Sequence, residues 1–151
     1  MVMNVNNSKF RLFEVMSRLN NEFNINEEVE ESKSTKGFHA NIEQETLDND
    51  NFRKVLYTAK NMQLVLMTLK ANEDIGMETH ADTDQFFRFE AGTGKCIIND
   101  DEYDLKDGDS IIIPAGSEHN IINTGEEPLK MYTIYSPPHH EDGIINKNKE
   151  D

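Results

Sequence analysis

The sequence holds one cysteine, Cys96, among 151 residues. A lone thiol closes no disulfide within the chain and completes no zinc-finger spacing, which points to a reducing compartment, the cytoplasm. Positive charge is also scarce. Lysine and arginine number 15 against 29 aspartates and glutamates, for a formal net charge of −14. So acidic a surface repels phosphate backbones and anionic lipid, so neither nucleic acid nor a membrane is expected as a partner. It also disfavours strongly anionic substrates, unless a local basic pocket compensates. No apolar run approaches the roughly 20 residues of a spanning helix. The opening MVMNVNNSKFRLFEV has no continuous apolar core and no small-residue cleavage site, so no secretory signal is expected. Phosphate loops (GxxxxGKS/T, GxGxxG), the GxSxG elbow and the HExxH helix are all missing. Nucleotide, serine-hydrolase and zincin chemistries therefore have no support.

What is present fits one domain with polar extensions. Hydrophobic residues make up 36% of the chain and mean hydropathy is −0.72, low for a compact domain. Residues 8–20 read as a helix capped by Ser8, with Leu12, Met16, Leu19 and Phe23 on one face. That stripe needs a surface to cover, on its own domain or on a partner chain. Glu27–Lys36 (EEVEESKSTK) is charged and aperiodic, so residues 1–36 read as a helix followed by an acidic linker.

From Phe52 the pattern changes. FRKVLYTAK, MQLVLMTLK, QFFRFEAG, KCIIND, EYDL, DSIIIPAG, HNIIN and LKMYTIYS are short runs rich in β-branched and aromatic residues. Most are bounded by Gly, Pro, Asn or Asp. Such runs without intervening helices predict an all-β sandwich or barrel over residues 37–138. IINDDEYDL reads as a hairpin turning at Asn99-Asp100-Asp101. Residues 139–151 read as a mobile tail.

The sharpest signal is GDSIIIPAGSEHNIIN, from Gly108 to Asn123. A turn glycine precedes an apolar strand; a Pro-Ala-Gly turn then sets where His119 enters the next strand. Alternation sends His119, Ile121 and Asn123 to one face. The spacing Gly108, Pro114, Gly116, His119, Asn123 resembles the second motif of the cupin superfamily at every signature position. The first motif of that family runs glycine, five residues, His-x-His, three or four residues, Glu, six residues, Gly. Here the same spacing holds Asn72, Glu78-Thr79-His80, Gln85 and Gly92. Asn72 stands for the opening glycine, Glu78 for the first histidine and Gln85 for the glutamate.

The resemblance covers roughly residues 52–136. It implies a double-stranded β-helix, or jelly-roll, barrel with a short N-terminal helical extension, and a homodimer paired through barrel edges. It also implies one divalent metal ion held by Glu78, His80, Gln85 and His119. Two imidazoles, a carboxylate and an amide oxygen suit Mn, Fe, Co, Ni or Zn. The small single-domain cupins described as similar to mannose-6-phosphate isomerase look most alike. The true enzymes use Gln-x-His, a glutamate and a histidine, so acid and amide are exchanged here.

That likeness implies a metal-dependent, isomerase-like reaction on a small oxygen-rich metabolite such as a sugar or sugar derivative. The metal would act as a Lewis acid and Glu78 would shuttle a proton. A ferrous site of the same residues would instead serve a dioxygenase, because two histidines and a carboxylate leave open positions. A third reading is a non-catalytic module that captures a small ligand.

Other residues carry weaker readings. Phe87 and Phe89 share the face of Gln85 and belong to core or pocket lining; Arg88 faces the other way. His139 and His140 beside Glu141 and Asp142 are metal-capable but sit in the expected tail. His39 has no readable partner, and Cys96 reads as a small buried hydrophobe. Nothing in the spacing of Arg53, Lys54, Lys60, Lys70, Arg88 or Lys95 ties any of them to the pocket.

Overall fold

The computed structural model describes residues 36–151. The expected helix with Leu12, Met16, Leu19 and Phe23, and all but the last residue of the acidic linker, lie outside the described residues. Ahead of the strands stands a helix absent from the sequence reading, α1 (Ile42–Asp48). Asn41 caps it by accepting from the Gln44 amide at 3.2 Å, and Glu43 and Glu45 complement its first turn. Seven residues are too few to show a helical period.

Ten strands follow: β1 (Arg53–Thr58), β2 (Gln63–Leu69), β3 (Glu78–Thr79), β4 (Asp84–Ala91), β5 (Thr93–Ile98), β6 (Asp101–Lys106), β7 (Ser110–Ile113), β8 (Glu118–Asn123), β9 (Leu129–Ser136) and β10 (Ile145–Asn146). Eight of them fall on the eight runs named from the sequence. They make a six-stranded sheet, β10-β1-β2-β9-β4-β7, and a four-stranded sheet, β3-β8-β5-β6, antiparallel throughout. The two inner faces make one core. Val65, Met67, Phe87, Phe89 and Met131 come from the first sheet, and Cys96, Leu105 and Ile121 from the second. Phe87 and Phe89 are thus core, stacked at 6.2 Å, and Arg88 turns outward to Glu90. Cys96 is fully buried, and burial pushes its thiol up to about 12. This is the all-β jelly roll expected from the sequence. Among the described residues no helix is long and apolar enough to cross a membrane.

Two backbone positions explain the motif glycines. Gly92 has φ +87, and a Cβ there would lie 2.5 Å from the Pro128 carbonyl oxygen, so only glycine fits. Asn72 has φ +65. The position where the family has glycine is left-handed here too, and asparagine tolerates that region better than most side chains. The hairpin turns one residue tighter than expected, since Ile98 pairs with Asp101, and Asn99 takes φ +52.

The C-terminal segment departs most from expectation. Residues 139–151 were read as a mobile tail, yet the chain beyond Ser136 folds back on the barrel. The buried Gln63 amide grips it: Oε1 accepts from the backbone amides of His139 and His140 at 3.2 and 2.9 Å, and Nε2 donates to the His140 carbonyl at 2.8 Å. β10 then pairs with β1, Arg53 opposite Asn146 and Lys54 opposite Ile145. The partner that holds the segment lies 76 residues away in sequence, so local composition could not show it.

Candidate metal centre

The barrel stitches the two motifs together at one end. β3 pairs with β8 so that Glu78 lies opposite His119. The Pro-Ala-Gly turn is tied to the first motif: the Gly116 amide donates to the His80 carbonyl at 2.7 Å, and the Ala115 amide to Asp84 Oδ1 at 2.8 Å. The turn therefore sets both where His119 enters β8 and where His80 leaves β3.

The result is a three-residue cluster. Glu78 Oε2 lies 3.2 Å from His80 Nε2 and 4.0 Å from His119 Nε2. One donor atom from each of the three residues falls within 4.8 Å of the others, a group that could hold a metal ion. The Glu78 side chain is 30% exposed, whereas His119 is buried.

Hydrogen bonding decides how these groups are used. His119 Nδ1 lies 2.9 Å from the Ser117 carbonyl, which can only accept. A neutral His119 therefore carries its proton on Nδ1 and a lone pair on Nε2, the arrangement second-sphere partners impose on ligating histidines. Five buried side-chain atoms among the described residues lack a hydrogen-bond partner, and three of them are His80 Nε2, His119 Nε2 and Gln85 Oε1. His80 Nε2 is close to Glu78 but not aligned for a hydrogen bond. Buried polar atoms without partners are costly in a folded protein. Three such atoms at the expected ligand positions fit a divalent cation.

Gln85 stands apart from the cluster. It is buried on β4, between Tyr135 and Ile113, and its Nε2 donates to Thr133 Oγ1 at 3.0 Å. That bond leaves Oε1 as an acceptor without a donor, so Gln85 fits as a weak fourth ligand or as the acceptor for a bound water.

Beside the cluster stand Tyr135, which the sequence reading did not name, and His139 and His140, which it placed in the expected tail. The His139 ring centre is 4.3 Å from that of His80 and 5.5 Å from that of Tyr135. The Tyr135 hydroxyl lies 3.2 Å from His140 Nε2. Alternation along LKMYTIYS could have placed Tyr135 inward with Met131 and Thr133. Burial, then the charge of Glu78, pushes the Tyr135 phenol up, so it remains a neutral hydrogen-bonding group. Burial, then the charges of Arg53 and neighbouring histidines, pulls His140 down to about 4. His139 is lowered too, first by burial and then by His80. His39 is exposed. Two surface hollows, of about 490 and 260 Å³, are lined by no residue of the cluster.

Comparison with known proteins agrees with this geometry. A family model described as "Cupin domain" matches residues 65–135. The uncharacterized protein YrkC of Bacillus subtilis is 43% identical over 122 residues, 77% of this chain and 66% of YrkC. A mannose-1-phosphate guanylyltransferase of Klebsiella pneumoniae is 32% identical over 80 residues, 52% of this chain and only 17% of that protein. This chain thus spans just under two thirds of YrkC and a small part of the transferase. The crystal structure of BH2720 from Bacillus halodurans superposes with a TM-score of 0.76 at 40% identity, covering 78% of this chain and 93% of that one. With both motifs in register, the strand order of a jelly roll and these relatives, the chain belongs to the cupin family.

Proposed function

We propose that this cupin holds one divalent metal through Glu78, His80 and His119, with Gln85 as a weaker fourth contact. It would act there on a small oxygen-rich metabolite such as a sugar or sugar derivative, in an isomerase-like reaction. The observation that carries the reading is the pair of buried imidazole Nε2 atoms without hydrogen-bond partners beside one carboxylate. When bound, the metal supplies Lewis acidity toward a substrate carbonyl. His119, oriented by the Ser117 carbonyl, and His80 hold it with neutral nitrogens. Glu78, the most exposed of the three, can take and return a proton at Oε2 while remaining near the metal. The neutral Tyr135 phenol can orient a substrate oxygen.

A sugar-type metabolite is supported by the similarity of half this chain to part of a mannose-1-phosphate guanylyltransferase. A dioxygenase reading rests on the same two histidines and carboxylate, which leave coordination positions open. A homodimer belongs to the proposal as well. Phe38 and Met62 are exposed beside Tyr57, Leu64 and Ile134, an apolar hollow that a second copy would cover.

The test is metal identity and then turnover. Untagged protein, purified without chelators, should contain close to one metal per chain. Zinc with aldose–ketose interconversion across a sugar panel supports the isomerase reading. Iron with oxygen uptake favours the dioxygenase. Protein without metal that still binds small ligands contradicts both.

A further inference from the structure

The two sheets end side by side along one flank of the barrel. Strand β6 closes the four-stranded sheet and β7 the six-stranded one, so among the described residues each has one edge without a neighbouring strand. They are consecutive in the chain, joined by the short turn at Asp107 and Gly108. Between them lies the hollow of about 490 Å³, with Ile98, Leu105 and Ile111 in its lining. Leu105 is a core residue, and Ile98 and Ile111 pack against the core, so the floor continues the barrel interior. Tyr103 stands opposite the buried Cys96 on the inner face of its sheet, yet it is 45% exposed, because the facing sheet stops at β7 and leaves it uncovered. Ile112 stands on the other rim at 65% exposure.

The rim along β6 is acidic. Asp100, Asp101, Glu102, Asp104, Asp107 and Asp109 crowd residues 99–110, where Lys106 is the one cation. Among the described residues Glu102 alone of these six is in an ion pair, with Lys95 at 2.7 Å. The β6 backbone is open as well. Lys106 spends its amide and its carbonyl on Asp109, away from β5. Alternation along an antiparallel strand turns the amides and carbonyls of Glu102 and Asp104 to that same side. Their side chains lie on the outer face of the sheet, while Tyr103 and Leu105 face the hollow.

We infer that β6 is a docking edge for an extended basic segment of another protein, in which Lys or Arg alternates with Val, Ile or Leu. Such a segment adds a strand to the sheet through the free backbone groups of Glu102 and Asp104. Its cations then lie against the Glu102 and Asp104 carboxylates on the outer face, and its apolar side chains enter the hollow beside Tyr103 and Leu105. A second copy of this chain does not fit. Antiparallel self-pairing of β6 would set acidic side chains against acidic side chains, which destabilises a strand pair. A simple polycation answers the charge but neither the open edge nor the apolar floor. The surface is separate from the apolar hollow at Phe38 and Met62 and does not depend on the metal.

The test is calorimetric titration of the full chain with the peptide acetyl-KVKVKVK-amide, with hydrogen exchange followed on the complex. Controls are acetyl-EVEVEVE-amide, spermine, and acetyl-KVKPKVK-amide, whose proline keeps the charge but removes a backbone donor from the strand. Wild-type protein should bind the basic peptide at least tenfold more tightly than each control, and exchange should slow at the Glu102 and Asp104 amides. The double variant Glu102→Lys, Asp104→Lys should lose at least tenfold in affinity with strand content unchanged by circular dichroism, and Tyr103→Ser should weaken binding too. Equal binding of spermine or of the proline peptide by the wild type overturns the inference without any variant, since it leaves only a diffuse acidic surface. So does full-strength binding by the double variant, or binding that leaves exchange at Glu102 and Asp104 unchanged. Failure of the basic peptide to bind at all overturns it as well, and makes the acidic rim a guard against strand pairing and nothing more.

Discussion

His119 shows how much a single backbone contact decides. The Ser117 carbonyl fixes the tautomer, so the buried Nε2 is left as a lone pair with nothing to accept from. Removing either imidazole should therefore abolish most metal binding: His80→Ala and His119→Ala are each expected to weaken Mn²⁺ at least tenfold. Glu78→Gln should weaken it too, because it removes the one anionic donor of the cluster. Gln85→Glu should keep or tighten binding, since a carboxylate can accept from the Thr133 hydroxyl, to which the amide now donates, while offering charge to the metal. At saturating metal each tenfold loss should lower stability by about 1.4 kcal/mol, seen as a smaller melting shift on adding metal. Cys96 is expected to behave oppositely to a reactive thiol. Held protonated in the core, it should react with Ellman's reagent only on unfolding; rapid labelling of native protein would contradict its burial. The candidate cluster Glu78, His80 and His119, with Gln85 nearby on β4, was legible because motif spacing maps directly onto strand register. Tyr135 was not, because it reaches the site through strand pairings distant in sequence, and His139 was named only as part of an expected tail.

At the level of elements, the strands announced themselves by β-branched runs between turn residues. Helix α1 and strand β10 did not, since each is too short to carry a period. The C-terminal segment read as a tail because it is polar, yet its hold is the Gln63 amide in β2. Gln63→Ala should free residues 139–140 and cost about 1–3 kcal/mol, the range for stranding buried backbone groups. Hydrogen exchange should then speed up at the His139 and His140 amides while β2 and β9 stay protected. The same segment predicts acid sensitivity. His140 is depressed in the fold, so above about pH 6.5 it is neutral both folded and unfolded, and the fold loses nothing. As pH falls from there toward about 4, the unfolded chain gains the proton first and stability declines. Denaturant titrations across that window should show the decline, and it should be shallower in His140→Gln. An unchanged slope would remove His140 as its source. Gly92→Ala should also destabilise, because its Cβ would meet the Pro128 carbonyl in a backbone conformation that alanine disfavours.

For the whole molecule, the acidic charge and the jelly roll were both readable from composition and strand spacing, and neither names a reaction. The assembly is open to one direct check: sedimentation at micromolar concentration should give twice the 17.4 kDa of the chain, and a lasting monomer would contradict the dimer. The proposed chemistry and its stability linkage both depend on one thing, a metal at the junction of the two motifs. The most direct measurement is therefore metal stoichiometry, by elemental analysis of untagged wild-type protein and His119→Ala prepared side by side, with melting followed as manganese, iron or zinc is added. The expected result is close to one metal per chain in the wild type, little in the variant, and a metal-dependent rise in melting temperature in the wild type alone. Equal stoichiometry and equal melting responses in the two proteins would mean that His119 does not hold a metal and that this barrel works without one.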